Sequence, residues 1–88
     1  MLILGDVNPG ANVSAEGNII IWGRLLGIAH AGSKGNSQAK ISELQLSPVQ
    51  LRIAKKVARG PKEKPQFGLA EQARIDSEEI IISPLETT

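Results

Sequence analysis

The feature that most constrains this chain is a repeat of six residues in its first half. Glycine or alanine stands at positions 5, 11, 17, 23, 29 and 35, a polar residue follows each of them, and an aliphatic residue comes next as far as Ala31. This order suits a chain that turns a corner, exposes one side chain and points the next one inward. Helix is disfavoured, because each interior glycine costs about 1 kcal/mol relative to alanine. The repeat therefore predicts an all-β solenoid with three sides to each coil.

A coil of three such units contains about 18 residues, so residues that far apart should stack on neighbouring rungs. Met1 is predicted to stack on Ile19, and Ile3 on Ile21, with both pairs inside. Alternation along a strand points the intervening residues outward. The outward residues are apolar as well, and they are Leu2, Leu4, Ile20 and Trp22.

A strand that is apolar on both sides is typical of a strand covered on both faces. The simplest cover is the same face of a second copy, which predicts a homodimer interface formed by Leu2, Leu4, Ile20 and Trp22. The alternative is that a later segment of the same chain folds back over this face. A domain of 88 residues lies near the size at which folding alone buries just enough surface, so oligomerisation is expected.

The second half of the chain departs from the repeat. Residues 32–38 form a polar turn, and residues 47–58 fit either a helix, on a capping-box pattern, or a strand facing the core. The remaining expectations are a strand through Ile41, Leu44 and Leu46, a loop at 60–65, and closing strands at 73–75 and 79–82 joined by an acidic turn at 76–79.

Composition excludes several classes of function. Ten basic and nine acidic residues give a net charge of +1, without the positive footprint that a nucleic-acid partner requires. The chain contains no cysteine, which excludes disulfides and thiolate metal sites and indicates a reducing compartment. His30, the single histidine, occupies an exposed polar slot of the repeat with no nucleophile beside it in sequence. We therefore predict no cofactor, no metal and no enzymatic activity.

Five ordered motifs carry a resemblance to a known family. They are Gly5-Asp6-Val7-Asn8-Pro9-Gly10-Ala11, Gly17-Asn18-Ile19, Trp22-Gly23-Arg24-Leu25, Gly27-Ile28-Ala29-His30-Ala31-Gly32 and Gln50-Leu51-Arg52-Ile53-Ala54. In this order they resemble the C-terminal domain of the septum site-determining protein MinC. The likeness is good over roughly the first sixty residues and looser beyond them, through Ala73-Arg74-Ile75 and the closing isoleucines.

The resemblance implies a right-handed parallel β-helix of triangular section that dimerises through one face. It also implies strand, and not helix, for residues 51–58. Residues 1–88 are expected to form one C-terminal β-helix domain, with its first coil truncated and the inhibitory N-terminal domain absent. The expectation of a truncated coil arises because an arginine-serine-glycine-glutamine segment of the family normally precedes the stretch that corresponds to Met1-Leu2-Ile3.

The resemblance further implies a function in placing the division site. Members of the family inhibit division away from mid-cell: their C-terminal domain binds the membrane-associated ATPase MinD and helps an N-terminal domain to antagonise FtsZ polymers. The domain is then cytoplasmic, and it lies at the periphery of the inner membrane only when MinD recruits it. By position within the motifs, the residues implied in MinD binding are Asn8, Pro9 and Gly10 in a loop, with Arg24 and His30 on adjoining turns. Gly10 has the alternative role of adopting a backbone conformation that other residues avoid.

Two other classes compete with this interpretation. A bactofilin-like scaffold is also a small β-helix with glycine at its corners, and it would polymerise end to end instead of pairing sideways. A hexapeptide-repeat acyltransferase would use His30 between subunits to activate a hydroxyl group. That enzyme family usually has glycine directly after the aliphatic residue, whereas here the small residue comes first.

Overall fold

The computed structural model describes residues 1–46, 50–59 and 70–84, and the regular structure of this part is β-strand throughout. The strands are β1 (Leu2–Leu4), β2 (Asn12–Ser14), β3 (Ile19–Leu25), β4 (Ile28–Ala31), β5 (Ile41–Leu46), β6 (Gln50–Ile53), β7 (Lys56–Arg59), β8 (Glu71–Asp76) and β9 (Glu79–Pro84). The predicted all-β class is confirmed.

The strands form two mixed sheets, in the orders β1-β3-β5-β8-β9 and β2-β4-β6-β7. Neighbours are parallel from β1 to β3 to β5 and from β2 to β4 to β6, whereas β8, β9 and β7 join their neighbours antiparallel. The hairpins β6–β7 and β8–β9 reverse the chain direction, while a solenoid winds every rung in one direction. A triangular β-helix is therefore not established by these two sheets.

The predicted spacing of the rungs holds where the repeat is regular. β1 and β3 pair at an offset of 18 residues, with Leu2 opposite Ile20, Ile3 opposite Ile21 and Leu4 opposite Trp22. β3 and β5 pair at an offset of 22, as Ile19 does with Ile41. The longer offset arises because the polar turn at 32–38 lies between them, as the sequence predicted.

The aliphatic positions of the repeat form the core between the sheets. Val7, Ile19, Leu25 and Ala31 are buried, and Val13 is half-buried against them. The prediction that Met1 lies inside is wrong. Met1 is 53% exposed, because it precedes β1 at the edge of the sheet.

The repeat fails at Ala29, which the pattern places at a corner and the structure buries within β4. The physical reason is a shorter connection, since β2 and β4 pair at an offset of 16 residues, with Val13 opposite Ala29. The residues that follow Ala29 therefore lie in a strand and not on a turn.

Residues 50–59 form a hairpin of two strands, which confirms the strand implied by the family resemblance. The local capping-box signal for a helix is wrong over these residues, and its first positions, 47–49, lie outside the described residues. The hairpin turns at Ala54, whose φ is 52°. Pairing with β4 explains the outcome, because Leu51 and Ile53 are buried opposite Ala29 and Ala31.

The closing strands and their acidic turn are also confirmed. β8 and β9 pair with Asp76 opposite Glu79, and the two residues between them, Ser77 and Glu78, have φ of 50° and 68°. Positive φ at both central residues is the geometry of a two-residue hairpin that matches the twist of its strands. The loop predicted at 60–65 lies outside the described residues.

Gly27 offers a direct test of how the segment before β4 packs against the segment between β1 and β2. A Cβ built on Gly27 would lie 2.6 Å from the carbonyl oxygen of Asn8, and it would also meet that of Ala11. These are backbone oxygens, which cannot move aside as a flexible side chain can. We therefore expect Gly27→Ala to lower the free energy of unfolding by about 3 kcal/mol, the upper end of the usual cost of overpacking. Urea denaturation measures this.

Gly17→Ala is the matched control, because nothing lies within 4 Å of a Cβ built on Gly17 and its φ is not in the left-handed region. This change should alter stability by no more than about 1 kcal/mol. Equal destabilisation by the two variants would contradict the close approach at Gly27.

Candidate interaction surfaces

An apolar patch lies on the outer side of β1 and β3. The exposed fractions are 64% for Leu2, 80% for Leu4, 44% for Ile20 and 62% for Trp22. We call Leu2, Leu4, Ile20 and Trp22 the apolar face. Alternation in the strands creates it, because Ile19 and Ile21 point into the core and leave Ile20 and Trp22 outside. The predicted outward orientation of all four residues is confirmed.

The apolar face is not covered from within the part of the chain that the structure describes. The alternative in which a later segment folds back over it finds no support among the strands from β5 to β9, which continue the two sheets instead. Exposed aromatic and aliphatic side chains that lie together mark a surface for another molecule. A role of this face in dimerisation stays a prediction.

A second surface is the loop of Asn8, Pro9 and Gly10, which is exposed between β1 and β2. Val7 anchors the start of the loop: its N–H donates to Arg24 O at 2.9 Å, and its own carbonyl accepts from the N–H groups of Leu26 and Gly27. The loop closes on itself, because Ala11 N–H donates to Asn8 O at 3.0 Å. These bonds hold three exposed residues in a fixed conformation.

Gly10 has a φ of 87°, in the left-handed region, and a Cβ built there would meet no atom within 4 Å. Its backbone conformation therefore favours glycine. The open space beside it is also compatible with a partner's close approach.

Arg24 is brought to this loop by the same rung stacking. Its Nη2 donates to Asp6 Oδ2 at 2.8 Å, and its backbone N–H donates to Asp6 Oδ1 at 2.8 Å. The hydrogen bonds from the Arg24 side chain and then its backbone hold the pKa of Asp6 below its ordinary value, and the ion pair raises the pKa of Arg24. Arg24 remains half-exposed and lies within β3, not on a turn as expected.

His30 is not brought to the same place. It lies in β4 of the other sheet, opposite Ser14 and Arg52, and its Nε2 donates to Ala54 O at 2.9 Å. The prediction of an exposed slot on a turn is therefore wrong, because the imidazole is half-buried and is held by the turn of the β6–β7 hairpin. The structure thus brings together the loop residues and Arg24, but not His30.

The sequence interpretation missed one unusual group, the carboxyl of Glu43 on β5. Glu43 is 2% exposed, and neither carboxyl oxygen has a hydrogen-bond partner among the described residues. Burial raises its pKa to about 8, and the charge of Glu71, directly opposite on β8, adds to the effect. The signal was available, since a residue two positions after the buried Ile41 must point inward as well.

Two kinds of feature are absent from the described ranges, 1–46, 50–59 and 70–84. No cluster of three or more histidine, cysteine, aspartate or glutamate side chains suited to a metal ion occurs there. No helix of sufficient length and apolarity to cross a membrane occurs there either.

Two mixed sheets with an exposed apolar face and a braced, arginine-flanked loop define a small all-β domain. The model of the family described as septum formation inhibitor MinC, C-terminal domain, matches residues 1–85. The chain belongs to the MinC family, as its motifs indicated. This family consists of division regulators, which agrees with the expectation of a non-catalytic domain.

Individual relatives also support membership of the MinC family. The chain is 72% identical over 88 residues to a probable septum site-determining protein MinC of Prochlorococcus marinus, and 43% identical over 84 residues to one of Clostridium acetobutylicum. These matches cover 100% and 96% of the chain but 40% of each relative, so the chain spans less than half the length of these proteins.

A solved structure has the same fold. It is the MinC:MinD cell division protein complex of Aquifex aeolicus, which matches with a TM-score of 0.88 and 42% identity over 99% of this chain and 72% of that one. The bactofilin-like alternative finds no support in these comparisons.

Proposed function

We propose that this chain is the non-catalytic interaction domain of a division-site regulator, which binds MinD and pairs with a second copy of itself. The observation that carries the proposal is the likeness to the chain in the MinC:MinD complex of Aquifex aeolicus, at 42% identity over nearly the whole domain. A likeness of this degree supports a shared binding partner as well as a shared fold.

We assign the MinD contact to Asn8, Pro9, Gly10 and Arg24. The loop is exposed but braced through Val7, so little conformational entropy is lost when a partner orders it. Arg24 is held beside the loop by Asp6, with part of its guanidinium free to donate. A preorganised arginine can form bidentate hydrogen bonds with a partner's carboxylate. His30, which lies on the other sheet, contributes less to this assignment.

We assign self-association to the apolar face. Two copies that cover Leu2, Leu4, Ile20 and Trp22 with one another would form an isologous interface, in which the same patch serves both subunits. Tryptophan is among the residues that contribute most to such interfaces, and Trp22 is 62% exposed. A dimer would also present two MinD-binding loops, which raises avidity for partners concentrated on a membrane surface.

The remaining steps of the proposal extend what the family resemblance implies. In this proposal the domain is cytoplasmic and reaches the inner membrane through MinD alone, and it assists antagonism of FtsZ polymers by concentrating an inhibitor there. We propose that 1–88 forms one binding domain whose activity in the cell depends on its being recruited.

The test of MinD binding is a pull-down of MinD by this chain, with and without ATP. We expect Arg24→Ala to weaken ATP-dependent capture by about tenfold, because a charge-assisted contact is lost. Lys34→Ala is the matched control, since Lys34 forms a similar exposed ion pair with Glu16 at 2.7 Å, away from the loop.

Asp6→Asn separates two roles of Arg24. If Arg24 contacts MinD, this change keeps the guanidinium and should weaken capture less than Arg24→Ala does. Equal capture by wild type, Arg24→Ala and Lys34→Ala would contradict the assigned surface, and absence of capture by the wild type would contradict MinD binding itself.

A further inference from the structure

A cleft of about 430 Å³ lies between the turns of the two hairpins and the polar turn. The β6–β7 hairpin contributes Lys55 and Lys56 to its lining, and the β8–β9 hairpin contributes Glu78. Two apolar residues, Ala54 and Ile75, also line it. We call Lys55 and Lys56 the basic tip and Glu78 the acidic tip. The cleft therefore has side chains of opposite charge on the two hairpins that border it.

Ordered backbone presents both tips. Lys56 lies opposite the buried Ile53, so it is on the core-facing side of β7 at the place where the core ends. His30 holds the turn before it, because its Nε2 donates to Ala54 O at 2.9 Å. Glu78 stands in a two-residue turn with a φ of 68°. A partner that contacts the two tips therefore has little backbone to order.

The charges at the cleft restrict what can dock there. Lys55, Lys56 and Glu78 are exposed, and none of them forms an ion pair with another residue of the described ranges. A uniformly acidic partner would meet Glu78, and a uniformly basic one would meet the lysines. A fitting partner presents an acidic group to the basic tip and a basic group to the acidic tip. A second copy of this chain does so, because a two-fold axis between the tips exchanges them.

We propose that a second copy docks at this cleft, with the acidic tip of each copy against the basic tip of the other. We call this arrangement the tip contact. It is separate from the apolar face, since β5 lies between β3 and β8 in the first sheet. Exposed ion pairs contribute little individually, so the tip contact is weak and sensitive to salt. Two copies already joined through the apolar face would be linked by it to further pairs, which produces a row.

The test is sedimentation equilibrium of Lys56→Glu and Glu78→Lys, each alone and in equimolar mixture. A Trp22→Lys background removes the apolar face from the comparison. At an ionic strength of about 0.01 M, where charges interact over about 30 Å, the background protein should self-associate. Each charge reversal alone should raise the dissociation constant by about tenfold or more, because like charges then face one another. The mixture should restore association, since one copy is acidic at both tips and the other basic. An ionic strength of about 1 M should abolish it.

Arg52→Glu is the matched control, because Arg52 is exposed on β6 outside the cleft and its reversal changes the net charge as Lys56→Glu does. It should leave the dissociation constant of the background within about twofold. Labelled Glu78→Lys should bind Lys56→Glu about tenfold more tightly than it binds Arg52→Glu, although these two have the same net charge.

Three outcomes would overturn the tip contact. They are a background protein that stays monomeric at about 0.01 M ionic strength, equal weakening by Lys56→Glu and Arg52→Glu, and a mixture of the two reversed copies that does not associate. Each would leave the apolar-face dimer standing, because that dimer is tested by Trp22→Lys against the wild type. Loss of the apolar-face dimer would in turn leave the tip contact standing, since it rests on other residues.

Discussion

Trp22→Lys should convert the self-associating chain into a monomer, with a dissociation constant raised by about 100-fold or more. Trp22 is 62% exposed beside Leu4 on the outer side of β1 and β3. The substitution removes a large aromatic surface and places two ammonium groups near each other in an isologous pair. Sedimentation equilibrium of the purified chain at pH 6.5 measures the effect.

Val57→Lys is the control for this prediction. Val57 is 53% exposed on β7, in the other sheet, so the change removes a similarly exposed apolar side chain and adds the same charge elsewhere. It should leave the dissociation constant within about twofold of the wild type. A dimer that survives Trp22→Lys, or that is lost equally in Val57→Lys, would contradict self-association through the apolar face.

The regular part of the fold could be predicted because the six-residue repeat sets the offset between paired strands. One offset of 18 residues gives the pairs of β1 with β3, and alternation then assigns Ile21 to the core and Trp22 to the surface. The same offset places Asp6 beside Arg24, so their ion pair could also have been predicted from the sequence. Where the offset becomes 16, at β2 and β4, the pattern places Ala29 wrongly.

The other parts of the fold depend on long-range contacts that a local sequence pattern cannot predict. Residues 50–59 carry a helix signal near their start, yet pairing of Leu51 with Ala29 makes them strand, since tertiary contacts override local propensity. His30 follows the polar rule of the repeat, but the hairpin turn at Ala54 captures its imidazole. Long-range partners of this kind decide the environment of a side chain.

The largest effect on stability is expected from Glu43→Gln at alkaline pH. The folded chain raises the pKa of Glu43 from its ordinary value of 4.5 to about 8, so between these values the folded state holds a proton that the unfolded state releases. Stability from this group is therefore greatest below pH 4.5 and is lost as the pH rises through about 8. At about 1.4 kcal/mol per pH unit, the loss over this interval is on the order of 5 kcal/mol.

Glutamine at position 43 does not titrate, so the free energy of unfolding of Glu43→Gln should exceed that of the wild type at pH 9. At pH 5, where the folded wild type holds a proton on Glu43, the wild type should be as stable as the variant or more stable. Urea denaturation at both pH values measures the difference, in a Trp22→Lys background so that pairing does not contribute. Glu79→Gln, which removes an exposed carboxylate at the start of β9, is the control and should shift stability by about 0.5 kcal/mol or less at either pH. If wild type and Glu43→Gln differ by the same amount at pH 5 and pH 9, Glu43 is ionised in the folded chain at both. Its carboxyl would then be reached by water or by a cation.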